Sequence, residues 1–331
     1  MNTFCTIVTP NYLAYILALF ESLKEHGLDS VKMYALISTT KSEKENIAFP
    51  EVEGVEYLFI DDLCNEGAGR MIKDKYLESD VHAFRWSMKP VLLNYLLKDE
   101  ECEKVIYVDG DIFFFSNYQF LFDKLNDARA ILTPHWRSFD PHKDLTNFEL
   151  MFNSGIYNAG FIAVNKKAIE IMEWWAMACV FRCVKDPSRG FFADQTYLNL
   201  LNVIFEGVEL LRHRGCNLAD WNQLECRRTK RPDGSVCINN EYPVVFIHFT
   251  FSTMLAILEN RDPLLLPHLK RYFQSVKNYG IDLEKKIMQD IELRAQRMQK
   301  QKLALQKSRK GFLYFRFKSI VKKMLDKIIT H

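Results

Sequence analysis

Short apolar runs alternate with amphipathic segments along the first third of the chain. Residues 4–9 form an apolar run that ends at Pro10, and apolar residues then recur at spacings of three and four over residues 13–23. The first pattern predicts a buried strand and the second an amphipathic helix. The same alternation predicts strands over 31–38, 55–60 and 104–108 and helices over 41–48 and 84–97. Strands that alternate with helices predict an α/β protein with a mostly parallel sheet and helices on both of its faces.

Beyond residue 115 the pattern is mixed but stays α/β in character. It predicts strands over 130–133, 155–164, 208–211 and 244–249 and helices over 166–184 and 195–205. We find no internal repeat and no low-complexity linker before the last 50 or so residues. One domain is therefore expected over residues 1–280, followed by a helical, basic tail over residues 281–331.

Charge is distributed unevenly between these two parts. The chain of 331 residues has a net charge of +2, yet residues 284–331 hold 14 Lys and Arg against 4 Asp and Glu. Residues 284–331 therefore carry +10 and residues 1–283 carry −8. A hydrophobic fraction of 48% excludes a disordered chain, and an acidic body excludes a protein that coats nucleic acid. We expect a catalytic or binding body with a basic attachment segment and no nucleic-acid partner.

The end of the tail has an amphipathic helical pattern. Residues on one face are apolar and those on the other are largely lysines, as in the sequence Phe317-Lys318-Ser319-Ile320-Val321-Lys322-Lys323-Met324-Leu325. Such a helix is typical of segments that lie on an anionic membrane surface. A helix packed on the body or on a second copy of the chain is the alternative.

The amino-terminal segment lacks the features of a secretory signal. The first basic residue is Lys24, and Pro10-Asn11 interrupts the apolar start. The eight cysteines include no Cys-x-x-Cys pair, which favours free thiols in a reducing compartment. We expect a cytoplasmic protein that neither is secreted nor spans a membrane, with the tail as a peripheral contact to the inner membrane face.

The sharpest chemical feature is the sequence Asp109-Gly110-Asp111 at the end of a predicted strand. Residues two apart in extended backbone point to the same side, and Gly110 places no side chain between the two acids. Carboxylates that converge at the carboxyl end of a parallel strand suit Mg²⁺ or Mn²⁺. Solvated turn aspartates are the alternative, but the apolar runs on both sides favour a buried pair that requires a cation.

Four segments in order resemble nucleotide-sugar glycosyltransferases of the GT-A fold, which is Rossmann-like. They are the Asp-x-Asp strand, the turn Thr9-Pro10-Asn11-Tyr12, the sequence Asn158-Ala159-Gly160-Phe161 and the sequence Ala193-Asp194-Gln195-Thr196-Tyr197-Leu198-Asn199. The resemblance spans roughly residues 4–250 and is nearest to the retaining enzymes of family 8 and related bacterial polysaccharide and lipopolysaccharide transferases.

The resemblance implies a role for each matching residue. Asp109 and Asp111 would hold a metal ion on the donor diphosphate, with His248 as the third ligand. Thr9, Asn11 and Tyr12 would contact the nucleoside, and Lys89 would offset phosphate charge. The donor sugar would be held on its reacting face by Asn158, Asp194 and Gln195.

The chain departs from the family 8 pattern after the histidine. Family members usually continue with a glycine and then a lysine that contacts the diphosphate, whereas this chain continues Phe249-Thr250-Phe251. The basic residues of 212–214 or of 227–231 are candidates to replace that lysine.

The implied activity is metal-dependent transfer of a hexose from a UDP-sugar to a saccharide or lipid-linked acceptor, with retention. A front-face exchange is favoured because the carboxamide of Gln195 is a poor nucleophile, while Asp194 stays open as a nucleophile or as a base for inversion. A metal-dependent phosphohydrolase and a non-catalytic saccharide-binding protein are the competing hypotheses.

Overall fold

The computed structural model describes residues 1–44, 48–294 and 296–301. The strands that build or border the main sheet are β1 (Asn2–Val8), β2 (Val31–Ile37), β3 (Val55–Phe59), β4 (Lys104–Val108), β5 (Ile112–Phe114), β6 (Ala130–Pro134) and β7 (Tyr157–Asn165). The shorter strands that follow are β8 (Lys185–Asp186), β9 (Phe191–Phe192), β10 (Val208–Leu210), β11 (Arg228–Lys230), β12 (Val236–Ile238), β13 (Tyr242–Pro243) and β14 (Phe246–His248).

The α-helices of the described residues run between these strands and after them. They are α1 (Leu13–His26), α2 (Lys41–Lys44), α3 (Ile60–Leu63), α4 (Gly67–Tyr76), α5 (Val81–Leu97), α6 (Gln119–Lys124), α7 (Leu145–Ser154), α8 (Ile169–Phe181), α9 (Leu198–Ile204), α10 (Phe251–Leu258) and α11 (Leu266–Asn278).

The main sheet has the strand order β10-β6-β7-β4-β1-β2-β3. Strands β1 to β4 are parallel to one another and β10 is parallel to β6, whereas β7 is antiparallel to both of its neighbours. Adjacent residues of β1 belong to different cores: Phe4 packs in the cluster that contains α1, and Cys5 in the cluster that contains α5 and α8. The predicted α/β class, with a mostly parallel sheet covered by helices on both faces, is confirmed.

A short antiparallel ladder places His248 next to the Asp-x-Asp sequence. Strand β14 pairs with β5, and His248 lies opposite Ile112, the residue that follows Asp111. The prediction of one strand over 244–249 was wrong in its extent. Tyr242 and Pro243 belong to a separate three-stranded sheet with β11 and β12. Val244 and Val245 lie between that sheet and β14, and the Val245 N–H donates to Gly215 O at 2.8 Å.

Two helix boundaries also differ from the prediction. Helix α5 begins at Val81 rather than at residue 84 because the Asp80 side chain accepts hydrogen bonds from the N–H groups of His82 and Ala83. Helix α8 ends at Phe181, and Lys185 then pairs in a two-stranded ladder with β9. The predicted helix over 41–48 is helical over Lys41–Lys44, and residues 45–47 lie outside the described residues.

The chain divides into two compact units after Ile281. The first unit, Met1–Ile281, contains the sheets and all of the elements named above. In the second unit, residues 283–294 and 296–301 are helical. The amphipathic segment predicted near the carboxyl terminus lies outside the described residues. Among the described helices, none combines the length and the apolar character that a membrane span requires.

Candidate active site

Backbone hydrogen bonds place the two acids of the Asp-x-Asp sequence at the carboxyl end of β4. The N–H of Asp109 donates to Gly160 O at 2.8 Å, and the N–H of Phe249 donates to Asp111 O at 2.8 Å. The first bond ties the acids to β7, and the second ties them to the residue that follows His248. Both acids are therefore fixed at an edge where α/β sheets bind ligands.

Asp109, Asp111 and His248 form a compact ligand set. His248 Nε2 lies 3.0 Å from Asp111 Oδ1 and 3.9 Å from Asp109 Oδ2. One ligand atom from each residue lies within 4.8 Å of the other two. Two carboxylates and one imidazole are an oxygen-rich donor set that fits Mg²⁺ or Mn²⁺. The structure thus brings together the three residues that were expected to bind metal.

Charge interactions within this set are strong because the residues are enclosed. Burial acts to lower the pKa of His248, but the carboxylates of Asp111 and Asp109 outweigh burial and raise it. For Asp111, burial acts to raise the pKa, and His248 outweighs it, so that the pKa is lowered. Each member of the pair thus favours the charged form of the other.

Gly160 is a residue of this site that sequence reasoning did not assign a role. A Cβ at this position would lie 2.7 Å from His248 Cε1, 2.8 Å from Asp109 Oδ2 and 2.6 Å from Asn158 Oδ1. Any larger residue would therefore displace two of the three ligands. Its place in the sequence Asn158-Ala159-Gly160 is the signal that could have identified it.

Lys89 is buried beside the ligand set and contacts two carboxylates. Its Nζ lies 3.1 Å from Asp109 Oδ1 and 3.7 Å from Asp194 Oδ2, and it donates to Ala159 O at 2.9 Å. Burial acts to lower the pKa of Lys89, but these carboxylates outweigh it and raise the pKa. The hydroxyl of Tyr107 donates to the same Asp109 oxygen at 2.8 Å. Tyr107 was not predicted, although it precedes Asp109 by two residues and so lies on the same face of the strand.

Asp194, Gln195 and Asn158 meet on the other side of Lys89. Burial raises the pKa of Asp194 to about 6, although Lys89 acts in the opposite direction. The Gln195 amide is held at both ends: Oε1 accepts from Ala159 N at 3.2 Å, and Nε2 donates to Ser154 O at 2.7 Å. Asn158 Oδ1 accepts from Gly160 N at 2.7 Å. Lys89, Asn158 and the pair Asp194-Gln195, which are far apart in the sequence, therefore present polar side chains to the same cavity.

Two cavities share the acid pair as a common wall. The first, which we call the Lys89 cavity, has a volume of about 490 Å³ and is lined by Lys89, Asn158, Asp194, Gln195 and His248, together with His135, Arg137 and Trp221. The second, which we call the Tyr12 cavity, has a volume of about 640 Å³ and is lined by Thr9, Asn11 and Tyr12, together with His82, Arg85 and Gly110. Asp109 and Asp111 line both cavities.

The basic residues at these cavities are not those proposed to replace the family 8 lysine. None of the basic residues of 212–214 or 227–231 lines either cavity. Arg228 is instead buried in an ion pair with Asp262 at 2.9 Å. Arg85 lines the Tyr12 cavity, whereas Arg137 and Lys185 line the Lys89 cavity. Arg137 and Lys185 gave no local sequence signal, because their approach to the acids depends on tertiary packing.

Comparisons with known proteins find relatives in sequence and in structure. No family model matches the chain. It is 29% identical over 260 residues to the uncharacterized protein YfnD of Bacillus subtilis. The aligned region covers 76% of this chain and 78% of that protein. It is 26% identical over 263 residues to the uncharacterized protein YfnF of the same organism. That alignment covers 78% of this chain and 84% of YfnF.

Similar solved structures include two glycosyltransferases. The crystal structure of the galactosyltransferase LgtC with donor and acceptor sugar analogues aligns with a TM-score of 0.47 at 16% identity and covers 75% of this chain and 86% of that chain. Mouse xyloside xylosyltransferase 1 aligns with a TM-score of 0.47 at 13% identity and covers 76% of this chain and 98% of that chain. At these scores the likeness does not establish a shared fold.

Proposed function

We propose that this protein is a metal-dependent glycosyltransferase of the GT-A type that uses a nucleotide-sugar donor. The observation that carries the proposal is the position of Asp109, Asp111 and His248, because the two acids of this ligand set line the border between two cavities. A nucleotide-sugar has two parts joined by a diphosphate. The geometry suits a diphosphate at the acids, a nucleoside in the Tyr12 cavity and a sugar in the Lys89 cavity.

The nucleoside part of the proposal depends on the turn that follows β1. Thr9, Asn11 and Tyr12 line the Tyr12 cavity, and the Thr9 hydroxyl donates to the Asn11 side chain. The rings of Tyr12 and Tyr15 stack with centroids 4.6 Å apart, and Tyr12 is 42% exposed. An accessible aromatic face beside polar side chains suits a base and a ribose. We propose uridine as the base on the family resemblance.

A divalent cation held by Asp109, Asp111 and His248 would stabilise the negative charge that develops on the leaving diphosphate. The residues of the chain have separate tasks. Lys89 supplies a positive charge that lies 3.1 Å from Asp109 Oδ1 and 3.7 Å from Asp194 Oδ2 and so offsets the repulsion between these two carboxylates. Gln195 is fixed by its two backbone hydrogen bonds and so presents a rigid amide to the sugar.

We propose transfer of a hexose with retention by front-face exchange. The acceptor hydroxyl oxygen bonds to the anomeric carbon, the bond from that carbon to the diphosphate oxygen breaks, and the hydroxyl proton passes to the diphosphate. Asp194 would stabilise positive charge on the sugar, because Oδ2 is buried and its nearest cation, Lys89 Nζ, is 3.7 Å away. A pKa of about 6 leaves this carboxylate mostly ionised near neutral pH.

We propose a saccharide or lipid-linked saccharide as the acceptor, and a peripheral position of the protein at the cytoplasmic face of a membrane. The support for the membrane contact is the basic, amphipathic sequence near the carboxyl terminus. The support for the acceptor site is the position of His135, Arg137 and Trp221, which line the Lys89 cavity together with the residues proposed to hold the donor sugar.

Calorimetric titration with UDP tests the proposal most directly. We expect binding in the presence of Mn²⁺ that falls by about 100-fold when Asp111→Asn removes a ligand charge. Asp127→Asn is the matched control, because Asp127 is exposed and lies outside both cavities. Binding of UDP that does not depend on Mn²⁺ would overturn the proposal.

Product analysis separates the competing activities. With UDP-sugars, a transferase or its slow water reaction releases UDP, whereas a phosphohydrolase that cleaves the diphosphate releases UMP and a sugar 1-phosphate. A non-catalytic saccharide-binding protein would release none of these products. Detection of UMP and a sugar 1-phosphate as the first products would replace the transferase hypothesis by hydrolysis.

A further inference from the structure

A third cavity lies beside the Lys89 cavity and has a different chemical character. We call it the Phe139 cavity; it has a volume of about 210 Å³ and is lined by Pro134, Trp136, Arg137, Phe139, Met151, Ile156, Tyr157, Leu210 and Arg212. Arg137 lines this cavity and the Lys89 cavity. The two spaces therefore adjoin at one guanidinium group, and apolar side chains form most of the wall on the Phe139 side.

The two charged residues of the Phe139 cavity are both arginines. In the part of the chain that the structure describes, no carboxylate lines this cavity, and Arg137 and Arg212 take part in no ion pair. Arg137 donates to Asn147 Oδ1 at 2.5 Å, whereas its buried Nε has no hydrogen-bond partner. Asp144 and Asp220 act on Arg137 only from beyond ion-pair distance, and Arg212 is exposed. Two guanidinium groups beside an apolar wall favour an anionic ligand, and their planar donors suit a phosphate.

Trp136, which lines the Phe139 cavity, has a strained backbone conformation. Trp136 has a φ of 53°, which is uncommon for a bulky residue, and it is only 8% exposed. Its ring is covered by the guanidinium of Arg214, whose Cζ lies 3.3 Å from the ring centroid. Strained, buried residues persist where the surroundings determine their conformation and are frequent at ligand sites. Trp136 directly precedes Arg137, so the packing that holds Trp136 also fixes the backbone at Arg137.

The Phe139 cavity is accessible to an apolar group from solvent. Phe139 is 53% exposed and Ile156 is 44% exposed, although both line the cavity. Exposed apolar residues around an apolar cavity are typical of a binding site rather than of a packed core. A volume of 210 Å³ holds the first few carbons of a chain, and the remainder would continue past Phe139.

We propose that the acceptor is a saccharide joined through a phosphate to an apolar chain. The apolar chain enters the Phe139 cavity, the phosphate contacts Arg137 and Arg212, and the saccharide extends into the Lys89 cavity. This inference rests on the proposed transferase function, because that function gives the Lys89 cavity its sugar. The position of Arg137, which lines both cavities, and the charge of that residue are the observations that carry it.

Binding of octyl phosphate, a probe with the chain and the phosphate but no sugar, tests the inference. Without metal, we expect octyl phosphate to bind at least about ten-fold more tightly than inorganic phosphate and than octyl glucoside, because each of these lacks one of the two recognised groups. Equal affinity for octyl phosphate and either comparison probe would overturn the inference. So would displacement of octyl phosphate by UDP with Mn²⁺, since that result would locate the probe at the acids.

Substitutions of two exposed residues test whether octyl phosphate binds in the Phe139 cavity. Arg212→Gln should weaken octyl phosphate binding by about ten-fold, whereas Arg227→Gln, an exposed arginine outside the cavity, should leave it unchanged. Ile156→Ser should weaken binding several-fold through lost apolar contact, whereas Leu28→Ser, also exposed and apolar, should have no effect. Equal effects of the paired variants would contradict the assigned cavity.

UDP binding with Mn²⁺, measured on the same samples, separates this inference from the proposed function. If UDP binds but octyl phosphate does not, the acceptor assignment is wrong and the transferase function stands. If octyl phosphate binds but UDP does not, the transferase function fails and the inference, which rests on it, fails as an acceptor assignment.

Discussion

Lys89 is the residue on which the charge balance of the candidate site depends. It is buried, and its ammonium group lies within 4 Å of carboxylates from two separate loops, those of Asp109 and Asp194. Carboxylates this close and this enclosed repel each other strongly unless a cation lies between them. Lys89 therefore has a structural task in addition to any contact with donor phosphates.

Removal of this cation should destabilise the fold even without substrate. We expect Lys89→Met to lower the free energy of unfolding by about 3 kcal/mol, because Asp194 is left buried without its partner. Urea denaturation in a metal-free buffer measures the change. Lys98→Met is the matched control; Lys98 pairs with Glu173 at 3.2 Å in an exposed position and should contribute less than about 1 kcal/mol. Equal losses for the two variants would show that the buried pairing is unimportant.

His268 makes stability depend on pH. Burial lowers its pKa from 6.5 to about 4, and its ring packs edge-on against Phe115 with centroids 4.7 Å apart. As pH falls below 6.5, the unfolded chain takes up a proton at this residue that the folded chain does not, so stability is lost down to about pH 4.

The His268→Gln variant should remove that dependence. Between pH 7.5 and pH 5 the wild-type protein should lose about 2 kcal/mol more stability than the variant, from the linkage between pKa and folding. Chemical denaturation at the two pH values gives the difference. Parallel pH profiles for the two proteins would mean that His268 titrates normally.

Residues close together in sequence or on one strand were the predictable part of the site. Asp109 and Asp111 follow from strand periodicity, and the structure places their carboxylates with His248. The neighbourhood of Arg137 did not follow, because that residue reaches the Lys89 cavity only through the packing of a loop after β6. Periodicity describes a single element and carries no information about how loops from different strands meet.

At the scale of elements, helix α5 matters because it carries Lys89 and Arg85. The helix starts where Asp80 Oδ1 accepts from the N–H groups of His82 and Ala83, both at 3.0 Å. These bonds satisfy two of the free N–H groups of the first turn. The cap thereby fixes the end of the helix nearest to the Tyr12 cavity, which Val81, His82 and Arg85 line.

Loss of the cap should weaken the helix modestly. We expect Asp80→Ala to lower the free energy of unfolding by about 1 kcal/mol. Thermal or urea denaturation measures the loss, with Glu78→Ala as the control because Glu78 is exposed two residues earlier, outside the helix. An Asp80→Ala protein as stable as the control variant would show that the first turn finds other partners.

The elements themselves were predicted well where their patterns are long. The strands and helices predicted within residues 2–108 agree with the described structure to within a few residues, whereas helices α3 and α4 were not predicted. The short strand β14 was predicted as the end of a longer one, because Val244 and Val245 continue its apolar character although they lie between two sheets. Hydrophobicity reports burial, and burial alone does not distinguish a strand from an extended connection.

For the whole molecule, the uneven charge predicts a membrane contact that can be separated from catalysis. Removal of residues 309–331 takes away 7 basic residues and 1 acidic residue. We expect the truncated protein to sediment several-fold less with anionic liposomes, because each basic residue near such a surface contributes about 1 kcal/mol. UDP binding should be unchanged, since every residue of the candidate site precedes residue 282. Unchanged sedimentation would contradict the surface-anchor hypothesis.

The ladder between β5 and β14 has a consequence for biosynthesis. Its pairing of Ile112 with His248 is what delivers the imidazole to the acids, and the imidazole belongs to one of the last strands of the first unit. A nascent chain on the ribosome can therefore complete its central strands before the imidazole is synthesised. Premature termination before His248 would yield a fragment that lacks one of the three residues of the candidate ligand set.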